Sequence, residues 1–197
     1  MPTAPATVAA GAGLFVGTNI DDMILLVVLS MSCRANGRPK RWQIWAGQYA
    51  GMAVLVLISL AAALGLTVLP TRWTWMLGLI PITLGTYKLI AAIRDRDAGD
   101  LAPATVANGL TGVIGLTIAN GGDNVAAYTP VFRLLSAADI AVTVAVFAIG
   151  VALWCFLSGW LVSHRWITHL IQTWGRWVVP AVVILIGFYV FYKAGVF

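Results

Sequence analysis

Three aspartates, Asp21, Asp22 and Asp123, lie within long apolar segments of the sequence. The first two fall near the middle of residues 8–31, and Asp123 falls in the second half of residues 106–132. A carboxylate in membrane hydrocarbon costs about 2.5–3.5 kcal/mol on insertion scales, so such residues usually mark an ion or proton pathway. The sequence predicts no Lys or Arg at matching depth, which indicates a cation or a proton as the balancing charge.

Amide and hydroxyl side chains accompany these aspartates. Asn19 and Asn120 each precede an aspartate by three residues, which places each amide on the same helix face as its aspartate. Asn124 follows Asp123 directly, and Thr18 adds a hydroxyl. Oxygen donors of these kinds suit magnesium, calcium or manganese, and they can accept other divalent ions of similar size.

Two adjacent glycines interrupt the second acidic segment. Gly121 and Gly122 are expected to weaken the helix, and an interrupted helix exposes carbonyl groups that can coordinate a cation at membrane depth. The alternative is that the buried Asp and Asn side chains only join helices through hydrogen bonds. We predict an ion site with the ligands Asp21, Asp22, Asp123, Asn19, Asn120 and Asn124, supported by Thr18, Gly121 and Gly122, in which Asp22 and Asp123 also exchange protons.

The composition places these residues in a membrane. Of the 197 residues, 60% are hydrophobic and 10% are charged, and the mean hydropathy is +0.91. Soluble domains carry about 25% charged residues, so a soluble enzyme or binding module is excluded, and no basic face for nucleic acid can be drawn. Six apolar stretches predict six transmembrane helices, at residues 8–31, 43–67, 73–93, 106–132, 140–162 and 177–192.

The basic residues predict the orientation of these helices. If the N-terminus lies outside, nine of the twelve Lys and Arg residues fall on the cytoplasmic side and three on the other side. Cytoplasmic loops carry an excess of positive charge. The sequence therefore predicts that both termini lie outside.

The two halves of the chain show weak internal similarity. An offset of 101 residues aligns residues 18–22 with residues 119–123. Three helices per half is an odd number, so the halves must be inverted relative to one another, with a site near the midplane. We predict an all-α, single transmembrane domain with repeat one at residues 1–94, a cytoplasmic linker at 95–105 and repeat two at 106–197.

The acidic motifs at residues 17–22 (GTNIDD) and 118–124 (IANGGDN) resemble those of the cadmium-resistance transporter family. That family belongs to the lysine-exporter superfamily of small inverted-repeat transporters. The resemblance implies export of a divalent heavy metal, typically cadmium, from the bacterial cytoplasm across the plasma membrane, with the acidic motifs as the ion site. The metal is then cargo rather than a cofactor. Relatives that move manganese, calcium, amino acids or other cations supply the alternative substrates.

The expected mechanism is alternating access. Clustered carboxylates raise one another's proton affinity when the metal leaves, so Asp22 and Asp123 would return protonated and give metal/proton antiport. A uniporter whose acids remain ionised is the alternative. The predicted partners are a divalent metal ion, protons and the lipid bilayer. A Gly47-x-x-x-Gly51 spacing is typical of close helix contacts and indicates either a homodimer or packing within the chain.

Two other functions would use some of the same residues. An intramembrane aspartyl protease needs two facing aspartates, but its usual Gly-x-Gly-Asp signature here reads NGGD at residues 120–123. A thiol–disulfide carrier needs paired intramembrane cysteines, but Cys33 and Cys155 do not occupy mirrored positions. The sequence therefore favours a transporter over an enzyme.

Overall fold

The computed structural model describes residues 4–66, 76, 79–94, 109–162, 181, 184–188 and 190–192. These residues are almost entirely helical and include no strand, as the sequence predicts. The described residues form seven helices of three or more turns: α1 (Ala4–Thr18), α2 (Ile20–Asn36), α3 (Arg41–Gly65), α4 (Leu79–Arg94), α5 (Gly109–Asn120), α6 (Gly122–Leu134) and α7 (Ala137–Leu161). The predicted linker at 95–105 lies outside the described residues, as do residues 177–180, 182–183 and 189 of the sixth apolar stretch.

Two of these helices are long and apolar enough to cross a membrane. They are α3 and α7, each of 25 residues, and such a helix is about 37 Å long, which exceeds the roughly 30 Å hydrocarbon core. The pair formed by α1 and α2 passes the same test as one bent span. The described residues thus contain two or three candidate spans, and the full set of six spans stays a prediction.

Helices α3 and α5 pack with their backbones close together. An ideal Cβ added at Gly47 would lie 2.5 Å from Cγ1 of Val113, and one at Gly51 would lie 2.6 Å from Cβ of Thr117. Any larger residue at either position would push α5 away from α3. The Gly47-x-x-x-Gly51 pair therefore serves packing within the chain, which is one of the two alternatives that the sequence leaves open.

Aromatic side chains fill the space between α1, α6 and α7. The ring centroids of Tyr128 and Phe147 lie 4.7 Å apart, and those of Phe15 and Trp154 lie 5.3 Å apart with an edge-on orientation. Offset and edge-on arrangements are the favourable geometries for aromatic rings. This aromatic cluster lies directly against the junction of α1 and α2, and it brings polar groups of Tyr128 and Trp154 to that junction.

A short turn joins α2 to α3. Gly37 ends α2 with a φ of +69°, and its N–H donates to the carbonyl of Cys33. Only glycine adopts this left-handed conformation at little cost, so it is a common residue at helix ends. The turn brings the basic residues Arg34 and Arg41 to the same end of the helices.

Candidate ion-binding site

Both acidic motifs lie where a helix is broken. Helix α1 ends at Thr18 and α2 begins at Ile20, with a bend of 58° between them. Helix α5 ends at Asn120 and α6 begins beyond Gly121. The paired glycines predict the second break. The sequence also predicts one continuous helix over residues 8–31, and that prediction is wrong at Asn19, where contacts from other helices hold a bend.

Hydrogen bonds join the two breaks directly. Nδ2 of Asn120 donates to Oδ1 of Asp22 at 2.7 Å. Nδ2 of Asn124 donates to Oδ1 of Asn19 at 3.3 Å. The two motifs, about half the chain apart in sequence, therefore form one polar cluster between apolar helices.

The carboxylate of Asp22 is completely buried, with 0% of the residue exposed. Its second oxygen, Oδ2, accepts a hydrogen bond from Nε2 of Gln48 at 3.0 Å. Oε1 of Gln48 in turn accepts from the hydroxyl of Thr117 at 2.9 Å. A buried carboxylate needs such donors, because burying a charge without hydrogen-bond partners costs on the order of several kcal/mol. Helices α2, α3 and α5 thus meet at Asp22.

Asn19 occupies the bend between α1 and α2 and is also completely buried. Its Nδ2 donates to the carbonyl of Phe15 and to the hydroxyl of Tyr128, each at 2.8 Å. The hydroxyl of Tyr128 also shares a hydrogen bond with the hydroxyl of Thr18, 3.0 Å away. Nε1 of Trp154 donates to the backbone carbonyl of Asn19 at 2.6 Å. Helices α6 and α7 therefore fix the bend from outside.

The remaining predicted ligands lie around this cluster. Asp123, in the first turn of α6, is 2% exposed, whereas Asp21 and Asn120 are half-buried. Oδ1 of Asp21 accepts from the backbone N–H of Asp22 at 3.0 Å. Oδ1 of Asn124 is buried and accepts no hydrogen bond from the described part of the chain. A buried oxygen in that condition is costly, and a bound cation would satisfy it.

The two predicted supporting glycines differ in their surroundings. Gly121 is buried, and an ideal Cβ there would lie 2.2 Å from Cδ1 of Leu55 on α3. Gly122 is exposed, and an added Cβ would meet no atom of the described residues within 4 Å. Gly121 therefore allows the second break to approach α3 closely, whereas Gly122 has no comparable packing role.

Three aspartates do not form one carboxylate cluster here. Within the described ranges, no group of three His, Cys, Asp or Glu side chains lies close enough together to hold a metal ion. The carboxylate of Asp22 instead accepts hydrogen bonds from the side-chain amides of Gln48 and Asn120. Joint coordination of a metal by Asp21, Asp22 and Asp123 stays a prediction.

Four contributors to the cluster are absent from the predicted set: Gln48, Thr117, Tyr128 and Trp154. Gln48 had a detectable signal, because it is a polar residue within residues 42–71, which contain no charge. Trp154 lies deep in its apolar stretch rather than at a membrane interface, where Trp is usually found. The hydroxyls of Thr117 and Tyr128 gave no comparable signal, since both residue types are ordinary in membrane helices.

A family model described as cadmium resistance transporter matches residues 15–197, which include both acidic motifs and both helix breaks. The chain belongs to the cadmium resistance transporter family. This confirms the resemblance seen in the motifs. No curated protein and no solved structure matches the chain. Membership of a transporter family, together with the apolar helices α3 and α7, makes this a membrane protein.

Proposed function

We propose that the chain is a secondary carrier, not an enzyme, that exports divalent heavy-metal ions from the bacterial cytoplasm across the plasma membrane. Cadmium is the proposed cargo, and family membership is the support for it. Six transmembrane helices in two inverted repeats, with both termini outside, form the proposed carrier. The ion binds where the two repeats meet, at the polar cluster around Asp22 and Asn19.

The observation that carries this proposal is the meeting of two broken helices at a buried carboxylate. Asn120, at the end of α5, holds Asp22 in the first turn of α2. Broken helices at membrane depth supply carbonyl groups and helix ends to an ion, as they do in many secondary transporters. A site made only for packing would not need a carboxylate with 0% exposure in that place.

The amides suggest how the site accepts an ion. Asn120 and Gln48 both donate N–H groups to Asp22. A side-chain amide carries an acceptor oxygen as well as two donors. When a divalent cation reaches Asp22, rotation of the Asn120 amide would turn its oxygen toward the metal. The same amide thus stabilises the carboxylate before binding and coordinates the ion afterwards.

Proton coupling follows from the charge of the empty site. Asp22 and Asp123 are buried in the first turns of α2 and α6, the helices that follow the two breaks. Departure of a divalent cation leaves negative charge in an apolar environment, which favours protonation. Return of the empty carrier with protons then gives metal/proton antiport.

Proteoliposomes containing the purified protein test the proposal. We expect cadmium uptake along an imposed gradient to fall at least about tenfold in Asp22→Asn and Asp123→Asn, because each removes a charge that balances the cation. Asp139→Asn is the matched control, since it is the same substitution at the first turn of α7. Wild-type flux in both site variants would contradict the proposed site.

Two further measurements on the same vesicles define the transport reaction. A panel of cadmium, zinc, manganese and calcium tests the cargo, because oxygen donors alone also accept manganese and calcium. A pH-sensitive dye inside the vesicles tests the coupling. Cadmium movement without any proton counterflow would exclude antiport and leave uniport.

A further inference from the structure

A cavity of about 350 Å³ opens where the last turns of α2 and α7 meet the first turns of α3. It is separate from the candidate ion site, because none of the predicted ligands lines it. The lining residues that matter for its chemistry are Ser30, Arg34, Arg41, Trp45, Gly159 and Trp160.

Two arginines from different helices converge on one point of this cavity. Nη2 of Arg34 donates to the carbonyl oxygen of Gly159 at 2.7 Å. An ideal Cβ built on Gly159 would lie 3.8 Å from Nη2 of Arg41. Both guanidinium groups therefore lie beside Gly159, and the missing side chain of that glycine leaves room between them.

The charge of the cavity suits an anion. Among the described residues that line it, none is acidic, so two positive charges share one concave space. This arrangement repels a divalent cation, which makes the cavity unsuited to the transported metal. A guanidinium carries five donors in a planar fork. Such forks match the oxygen atoms of a phosphate group.

The position of the cavity indicates where the phosphate comes from. It lies at the ends of α3 and α7, the two helices long enough to span a membrane. Trp45 and Trp160, which are 39% and 51% exposed, flank the arginines. Exposed Trp beside basic residues is typical of the headgroup layer, where anionic lipids attract Lys and Arg. A lipid headgroup reaches this cavity from the bilayer itself.

We propose that this cavity binds the phosphate group of an anionic phospholipid, held between Arg34 and Arg41. The lipid then joins the ends of α2, α3 and α7 at the turn between α2 and α3. The carbonyl of Gly159 keeps its bond to Arg34, and the lipid phosphate occupies the space toward Arg41. The proposal is independent of cadmium transport.

Native mass spectrometry of the full-length protein tests the proposal, with phosphatidylglycerol as the probe and phosphatidylcholine for comparison. We expect wild type to retain phosphatidylglycerol and Arg41→Gln to bind it about tenfold more weakly, as befits loss of a charge-assisted hydrogen bond. The matched control is Arg38→Gln, which removes the same charge from the same turn but does not line this cavity. It should bind phosphatidylglycerol as wild type does.

A second variant blocks the cavity without changing its charge. Gly159→Leu places a side chain between the two arginines, and we expect it to weaken phosphatidylglycerol binding as Arg41→Gln does. Thermal unfolding of each variant verifies that it is folded, and the Arg41 and Arg38 pair suffices if the leucine variant is not.

Three results would overturn the assignment. The first is equal binding of phosphatidylglycerol by wild type and Arg41→Gln. The second is equal retention of phosphatidylcholine, which would show that anionic charge is not recognised. The third is displacement of the bound lipid by millimolar inorganic phosphate, which would make a soluble phosphate the ligand.

Discussion

Asn120 donates a hydrogen bond to Asp22 over 2.7 Å, although 98 residues separate the two in the chain. One residue ends α5 and the other lies in the first turn of α2. A charge-assisted bond of this kind contributes about 1.5–3 kcal/mol, more than a bond between neutral groups. It couples the position of one broken helix to that of the other. A substitution at either break is therefore expected to change the structure of the other break as well.

Gln48 is expected to stabilise the polar cluster around Asp22 and Asn19. Gln48→Leu has a similar volume but removes the donor to Oδ2 of Asp22 and the acceptor for Thr117. We expect the free energy of unfolding to fall by about 1–3 kcal/mol, because buried polar groups lose their partners. Cadmium flux should fall as well. Chemical unfolding in detergent and vesicle flux measure the two effects.

A double-mutant cycle shows whether the hydrogen bonds of Gln48 and Thr117 stabilise the protein jointly. Thr117→Val removes the hydroxyl and keeps the shape of the side chain. The losses in Gln48→Leu and Thr117→Val should not add in the double variant, with a coupling of about 0.5–3 kcal/mol. Strictly additive losses would mean that the two side chains act separately.

Trp154 is expected to hold the bend between α1 and α2. Trp154→Phe keeps an aromatic ring against Phe15 but removes the donor to the carbonyl of Asn19. We expect about 1–2 kcal/mol less stability and faster amide hydrogen exchange in residues 17–23. Trp42→Phe is the control, since Trp42 is largely exposed on α3. Unchanged exchange in Trp154→Phe would show that the bend does not need the indole.

Gly121 and Gly122 form a matched pair for testing close packing at the second break. Gly121→Ala places a methyl group against Leu55, and we expect it to destabilise the protein by about 1–3 kcal/mol. Gly122→Ala should cost far less, because nothing lies within 4 Å of the added atom. In the double variant with Leu55→Ala, the cost of Gly121→Ala should shrink. Equal effects of the two glycine substitutions would contradict this packing.

Replacement of both cysteines separates a metal carrier from a thiol–disulfide carrier. Cys155 is buried in the hydrophobic core, and Cys33 is half-buried near the end of α2. We expect Cys33→Ser with Cys155→Ala to keep cadmium flux, at a stability cost of about 1 kcal/mol for the lost core volume. Loss of flux in a variant that still unfolds cooperatively would support a redox function instead.

The amino-acid pattern predicts the polar cluster better than it predicts its geometry. Carboxylates at membrane depth are conspicuous, and the offset of 101 residues already pairs the two motifs. The break at Gly121 is also encoded locally, because glycine weakens a helix wherever it occurs. Asn19 and Asn124 are both in the predicted set, and the structure brings them into contact.

The bend at Asn19 could not be predicted in the same way. Its N–H still donates to the carbonyl of Phe15, and its own side chain makes no capping hydrogen bond at the start of α2, so Asn19 gives no local signal for a helix break. The bend depends instead on Tyr128 and Trp154, which lie more than one hundred residues away in the chain. Nothing in the spacing of one sequence reveals which distant side chains supply such contacts.

The close packing of α3 and α5 at Gly47 and Gly51 limits how these two helices can move. At Gly47 and Gly51 the short side chains of Val113 and Thr117 pack directly against α3. Such β-branched side chains have few rotamers with which to accommodate sliding of the helices. We therefore expect α3 and α5 to move together as one rigid unit. Under the proposed alternating access, we therefore expect movement between this unit and the bent pair α1–α2, where the indole of Trp154 on α7 donates to the carbonyl of Asn19.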